Sequence, residues 1–114
     1  ISPRALSQVL SSWPGPVTWV FPASPEAPKW ITGDFDTIAI RVSAHPIIQT
    51  LCNNYQKPIV STSANKAGQY PARCQNTLEM TFGSKIPMII SGQVGGLQKP
   101  TTIRDAITGE TLRP

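Results

Sequence analysis

Apolar residues recur at Leu6, Val9, Leu10 and Trp13, the spacing of one helical face. Ser2-Pro3 ahead of them reads as an N-cap followed by proline at the first helical position. The pattern predicts a helix over residues 3–12, stopped by Pro14-Gly15-Pro16. The β-branched and aromatic run Val17–Phe21 predicts a strand. A proline-rich loop runs from Pro22 to Pro28, and Trp30 and Ile31 open a short apolar element closed by Gly33-Asp34. Thr37–Val42 predicts a second strand, apolar except at Thr37 and Arg41, whose even spacing places them on one face. His45-Pro46 begins a helix to about Tyr55, with Ile47, Ile48, Leu51, Cys52 and Tyr55 as one stripe and His45 at the cap. Pro58–Val60 predicts a short buried strand. It ends in a polar cluster: Ser61, Thr62, Ser63 and Asn65, then Lys66 and Gly68. The loop Gln69–Gln75 leads to a short helix over 76–83, with Leu78, Met80 and Phe82 as its apolar contacts. A strand at Pro87–Ile90, a flexible turn at Ser91–Gly96, a strand at Thr101–Ala106 and a closing run Glu110–Leu112 complete the pattern.

Strands and helices in this order imply a single α/β domain over residues 1–114, a twisted mixed sheet with flanking helices and at least one crossover. The 114 residues suffice for one modest core, burying roughly 65% of the unfolded surface. Twelve prolines disfavour an all-helical chain. The net charge is +4, and most cations lie from Lys57 onward: Lys57, Lys66, Arg73, Lys85, Lys99, Arg104 and Arg113. Gathered on one face they would receive phosphates; scattered, they make an ordinary soluble surface. Cys52 and Cys74 do not form a disulfide framework, and Cys52 reads as a buried free thiol. No segment is apolar and long enough to span a membrane, and no signal peptide is visible, so a cytoplasmic setting is expected. The chain opens on Ile1 rather than methionine, as a processed protein or a piece of a longer one would.

Strand ends are where α/β proteins hold ligands, and the hydroxyls and carboxamide after Val60 offer hydrogen bonds without bulk; an ordinary Asn/Ser turn would look the same. Arg41 in an apolar run needs a partner, either a carboxylate of Asp34, Asp36 or Asp105 or the carboxylate of a ligand. The turn at Ser91–Gly96 lacks the pattern of a phosphate-binding loop. There is no G-x-S-x-G elbow, and Ser63, His45 and Asp105 are no more a triad than any such trio. The single histidine has no companions for a metal site. Hydroxyls, amides and arginines at strand ends suit binding of an anionic, hydroxylated small molecule better than covalent catalysis.

Five segments, Trp13–Phe21 (WPGPVTWVF), Thr37–Pro46 (TIAIRVSAHP), Lys57–Gly68 (KPIVSTSANKAG), Pro100–Asp105 (PTTIRD) and Leu112–Pro114 (LRP), together resemble the YrdC family of threonylcarbamoyl-AMP synthases in order and spacing. The resemblance implies an enzyme, a nucleotidyltransferase, that combines L-threonine, bicarbonate and ATP, with Mg2+ accompanying ATP, and releases pyrophosphate. It implies a twisted sheet around a large basic cavity. The product would pass to a threonylcarbamoyl transferase complex acting on tRNA. By the same resemblance Arg41 holds the threonine carboxylate, a task suited to a guanidinium's two parallel donors, with Ser61 and Thr101 also at threonine. Thr37, Ser63, Asn65 and Arg113 line the ATP site. No residue is implied as a covalent catalyst; the chemistry is positioning and charge stabilisation.

The chain departs from the family pattern in two places. Gly68-Gln69-Tyr70-Pro71 lacks the serine often found there, and no K-x-R precedes Trp13. The expectation is a C-terminal portion of a synthase, incomplete at the N-terminus and inactive alone, with a sheet edge and an apolar face left open. The alternatives are a YrdC-like module that binds double-stranded RNA or tRNA through its basic residues without catalysis, and a structural piece that associates to cover its edge.

Overall fold

The computed structural model describes residues 1–95 and 99–114, which form two compact units: residues 1–57 with 99–114, and residues 58–95. In the first unit, helix α1 (Pro3–Ser12) begins as the sequence implies, with Ser2 Oγ accepting from the Ala5 amide at 3.2 Å and Pro3 in the first turn. Strand β1 (Val17–Pro22) follows, then a single helical turn α2 (Lys29–Thr32), strand β2 (Thr37–Ile40) and helix α3 (Pro46–Tyr55). His45 caps α3: its Nδ1 accepts from the Ile47 amide at 3.2 Å. Strands β3 (Thr102–Asp105) and β4 (Thr111–Arg113) close the unit.

The sheet is mixed, in the order β2-β1-β3-β4. β1 is antiparallel to β2 and parallel to β3, and β3 is antiparallel to β4 with a bulge between Ile103 and Arg104. Parallel pairing of β1 with β3 requires the long crossover that the alternation of elements anticipates.

Alternation along β1 sends Val17, Trp19 and Phe21 to one face and Thr18 and Val20 to the other. On the first face Trp19 and Val9 are fully buried with Ala106, and Trp13, Val17 and Phe21 pack around them. The buried indole is satisfied: Trp19 Nε1 donates to Ser12 Oγ at 2.7 Å, and that hydroxyl donates to the Val9 carbonyl at 2.7 Å. Trp13 Nε1 donates to the Val17 carbonyl at 2.9 Å. α1 is thereby tied to β1 through side chains that also fill the core. The turn between them is tight at Gly15, where a Cβ would stand 2.6 Å from the Ser12 carbonyl oxygen. The Trp13–Pro14 bond is cis.

In the second unit the described elements are α4 (Gln75–Phe82) and a 3₁₀ turn at Gly83–Lys85. The strands expected at Pro58–Val60 and Pro87–Ile90 are not formed: neither segment joins a ladder. An apolar run signals burial without naming a hydrogen-bonding partner, and Pro58 and Pro87 each remove a ladder donor. Other boundaries shift slightly. β2 stops at Ile40, so Arg41 stands just beyond the strand rather than within it, and Trp30-Ile31 lie in the helical turn α2. Cys52, expected to be buried, is half-buried and free, and Cys74 is exposed and free. Of the turn anticipated at Ser91–Gly96, Gly96 lies outside the described residues. No helix among the described residues is long and apolar enough to cross a membrane.

Candidate functional site

The sheet register decides which candidate residues can act together in the first unit. Opposite the face covered by α1, β1 presents Thr18 and Val20. Val20 pairs with Ala39 and with Asp105, Thr18 pairs with Ile103, Pro22 pairs with Thr37, and Ile103 pairs with Arg113. Cross-strand partners share a face, so Thr37, Thr18 and Arg113 belong to one side of the sheet, away from the Trp19 core.

Within that side they divide between two ends. Thr37 sits beside the end of β1, lining a shallow cavity of about 210 Å³ with Val20, Phe21, Pro22, Asp36, Asp105 and Ile107. One oxygen of Asp105 is occupied there: its Oδ1 accepts from the amides of Ile107 at 2.8 Å and Thr108 at 3.0 Å. The bonds from Thr108 and then Ile107 hold its carboxyl below the usual carboxylate range.

The other end, at the start of β1, holds the rest. Arg41 Nη1 donates to the Gly15 carbonyl at 3.3 Å, and Gly15 in turn donates its amide to the Val42 carbonyl at 2.8 Å. Among the described residues no carboxylate lies within ion-pair distance of Arg41. Of its two candidate partners, an internal acid or a ligand, the internal acid is therefore not used. On the far side of β1, Thr101 Oγ1 lies 2.7 Å from Thr18 Oγ1. Arg113 closes on the same residue, donating to the Thr101 carbonyl from Nε at 3.1 Å and Nη2 at 2.7 Å, with Nη2 3.5 Å from the Thr101 hydroxyl. Two expected site residues, Thr101 and Arg113, are thus in direct contact. The strands that lead into Arg41 and out of Thr101 flank β1, so they run about 10 Å apart.

The remaining candidates belong to the second unit. Ser61 and Ser63 are exposed. Asn65 is half-buried; its Nδ2 donates to the Lys66 carbonyl at 3.0 Å, while its Oδ1 is buried without a partner. The segment is a closed turn: Gln69 donates to the Lys66 carbonyl at 3.0 Å and Ala72 to the Ala64 carbonyl at 2.7 Å. Gly68 takes φ +81°, a left-handed value that glycine adopts without penalty. The Asn65 acceptor is, among the described residues of this unit, a buried group with unspent hydrogen-bonding capacity, and buried acceptors seldom stay open.

Two participants escape a reading of the sequence. Thr18 is a polar position in an otherwise apolar strand, which alternation alone would assign to solvent; its partner lies 83 positions away. The Gly15 carbonyl that receives Arg41 has no side-chain signature at all.

A model of the Sua5/YciO/YrdC family, described as "Telomere recombination", matches residues 1–114. A threonylcarbamoyl-AMP synthase of Coxiella burnetii is 54% identical over 113 residues, 99% of this chain and 61% of the relative. One from Yersinia enterocolitica is 53% identical over 105 residues, covering 92% of this chain and 55% of that protein. The chain therefore spans about three fifths of the length of the curated relatives it matches. Among solved structures, P. abyssi Sua5 complexed with L-threonine superposes with a TM-score of 0.84 at 34% identity, over 92% of this chain and 31% of that one. A variant P. abyssi Sua5 superposes with a TM-score of 0.86, also at 34% identity, over 93% of this chain and 32% of that one. With a family match along its whole length and the same mixed sheet, this chain belongs to the Sua5/YciO/YrdC family.

Proposed function

We propose that the protein carrying this chain is a threonylcarbamoyl-AMP synthase, a nucleotidyltransferase that joins L-threonine, bicarbonate and ATP and releases pyrophosphate. The observation that carries this reading is the pair of groups flanking the start of β1. On one side is an arginine with no acidic partner among the described residues, on the other a threonine whose hydroxyl is held by Thr18 and whose carbonyl is held by Arg113. The reading places a small amino acid across the start of β1, with a hydrogen bond to each of these groups. The names of the relatives and the threonine complex of P. abyssi Sua5 support the same ligand.

In this reading Arg41 takes the carboxylate of threonine in a two-donor grip, and Thr101 and Ser61 fix its orientation. The threonine amine condenses with bicarbonate to a carbamate, releasing water, and a carbamate oxygen attacks the α-phosphorus of ATP as pyrophosphate leaves. Thr37, Ser63, Asn65 and Arg113 hold the nucleotide. Asn65 offers its open acceptor, and Arg113 retains Nη1 beyond the two nitrogens engaged with Thr101. The protein's share is proximity and stabilisation of developing charge. Mg2+ would travel on the phosphates of ATP, the usual way this ion is held; among the described residues no three His, Cys, Asp or Glu side chains stand together. The mixed-anhydride product suits handover of its threonylcarbamoyl group to an amine of tRNA by a separate transferase.

The test is pyrophosphate release from ATP and Mg2+ by the natural polypeptide that carries these residues, with and without L-threonine and bicarbonate. Release that requires both substrates is expected. Release indifferent to threonine would overturn the reading. The same assay on the 114-residue chain alone measures how much of the machinery it holds.

A further inference from the structure

The hydroxyl pair between β1 and β3 is an addition to the backbone ladder. The two strands are already joined by backbone pairing from Val17–Thr102 to Val20–Asp105. Thr18 points away from the Val9–Trp19 core and is only half-buried. Its hydroxyl lies 2.7 Å from that of Thr101, close to the ideal separation of an O–H···O bond, and either oxygen can donate.

The backbone of Thr101 is fixed independently. Arg113 grips its carbonyl through two nitrogens, at 3.1 and 2.7 Å. The Thr101 hydroxyl has two neighbours, Arg113 Nη2 at 3.5 Å and Thr18 Oγ1 at 2.7 Å, and threonine, unlike valine, divides between rotamers according to where its oxygen finds a partner. Thr18 supplies the shorter of the two contacts. A hydroxyl already turned to the bound geometry spares the ligand the cost of ordering it.

We infer that Thr18 is a positioning residue for the amino-acid substrate: it orients the Thr101 hydroxyl, and through it the L-threonine subsite, without touching the substrate itself. The inference rests on the synthase reading and concerns its amino-acid half only. Of the residues assigned to the nucleotide half, Thr37 and its cavity stand at the opposite end of β1, while Arg113 is held by the Thr101 carbonyl rather than by Thr18.

The experiment is steady-state pyrophosphate release by the natural polypeptide carrying Thr18→Val, Thr18→Ser, Thr101→Val or the Thr18→Val/Thr101→Val pair, with KM measured separately for L-threonine and ATP. Thr18→Val is expected to raise the KM for threonine about three- to tenfold, the worth of one neutral hydrogen bond, and to leave that for ATP unchanged. Thr18→Ser, which keeps the hydroxyl, should restore it. Adding Thr18→Val to Thr101→Val should cost nothing further. A threonine KM unmoved by Thr18→Val, an equal rise in both constants, or failure of Thr18→Ser to rescue would overturn the inference while leaving the synthase reading intact. A wild-type protein whose pyrophosphate release ignores threonine would overturn both. If circular dichroism shows Thr18→Val to be unfolded, Thr18→Ala against Thr18→Ser is read on the same two constants.

Discussion

The guanidinium of Arg104 lies over the indole of Trp19, 4.6 Å from the ring centroid, while its Nε and Nη2 donate to the Gly109 carbonyl at 3.1 and 3.0 Å. One side chain on β3 therefore covers the fully buried centre of the core and closes the β3–β4 hairpin. Gly109 meets it at φ +78°, and a Cβ there would stand 3.1 Å from Gln8 Oε1 of α1. Helix, core and hairpin converge on this stack, and the fully buried side chains beneath it are few.

Removing Arg104 should therefore cost more than a surface charge usually does. The cation–π stack contributes about 0.5–2 kcal/mol and the forked bond to a carbonyl about 1.5–3 kcal/mol. Arg104→Ala is expected to lose most of that sum in thermal or urea unfolding. Arg104→Lys should recover only part, because an ammonium stacks but cannot present two parallel donors. Equal stability of Arg104→Lys and wild type would mean that the fork contributes nothing.

How far these features can be read without coordinates differs by kind. The V-T-W-V-F alternation marks both the strand and its buried face, because period two translates directly into sidedness. The caps at Ser2 and His45 are equally legible, since each needs only its own next few residues. The run Pro58–Val60 misleads for the complementary reason: a ladder is a property of two segments, and one segment does not contain its partner. The same holds for Arg104 on Trp19 and Thr18 on Thr101, where neither residue carries any local sign of the other. Arg41 lies between these cases. Its cost in an apolar run is visible in sequence, whereas the absence of an acid within ion-pair distance, among the described residues, required the folded chain.

Acid should weaken the hairpin through Asp105. The amides of Thr108 and Ile107 lower its folded pKa below the ordinary carboxylate value. A depressed folded pKa adds stability above the unfolded pKa, near 3.9, and that stability is lost as pH falls through the lower folded value. Urea midpoints should therefore fall on acidification below about pH 4. Asp105→Asn keeps an oxygen that can accept from both amides but removes the charge, so its profile should be flatter across the same window. Parallel profiles for the two proteins would assign the acid sensitivity to other carboxylates.

The two thiols should separate cleanly on alkylation. Cys74 is exposed at the N-cap of α4, and its hydrogen bond with the Thr77 hydroxyl at 3.1 Å, followed by the Thr77 amide, lowers its pKa. The thiolate is the nucleophile, so iodoacetamide at neutral pH should modify Cys74 well before the half-buried Cys52. Thr77→Val should slow Cys74 without altering Cys52. Mass spectrometry of a time course reads both sites at once, and equal rates would mean that the Thr77 contact does not activate the thiol.

Arg41 offers the sharpest test of the site. Its contact with the Gly15 carbonyl, at 3.3 Å, is long for a guanidinium bond and engages one nitrogen, so most of its donors remain for a ligand. If those donors hold the substrate carboxylate, Arg41→Ala should raise the KM for L-threonine roughly ten- to a hundredfold, as loss of a charge-assisted bond of about 1.5–3 kcal/mol requires. Arg41→Lys should restore little, since a point charge does not reproduce a two-donor grip. Melting temperature should change far less than threonine KM, because the residue is exposed and its one internal bond is weak. A variant that loses stability and both substrates together would instead make Arg41 a brace for the Gly15 turn, and the carboxylate would have to be sought elsewhere.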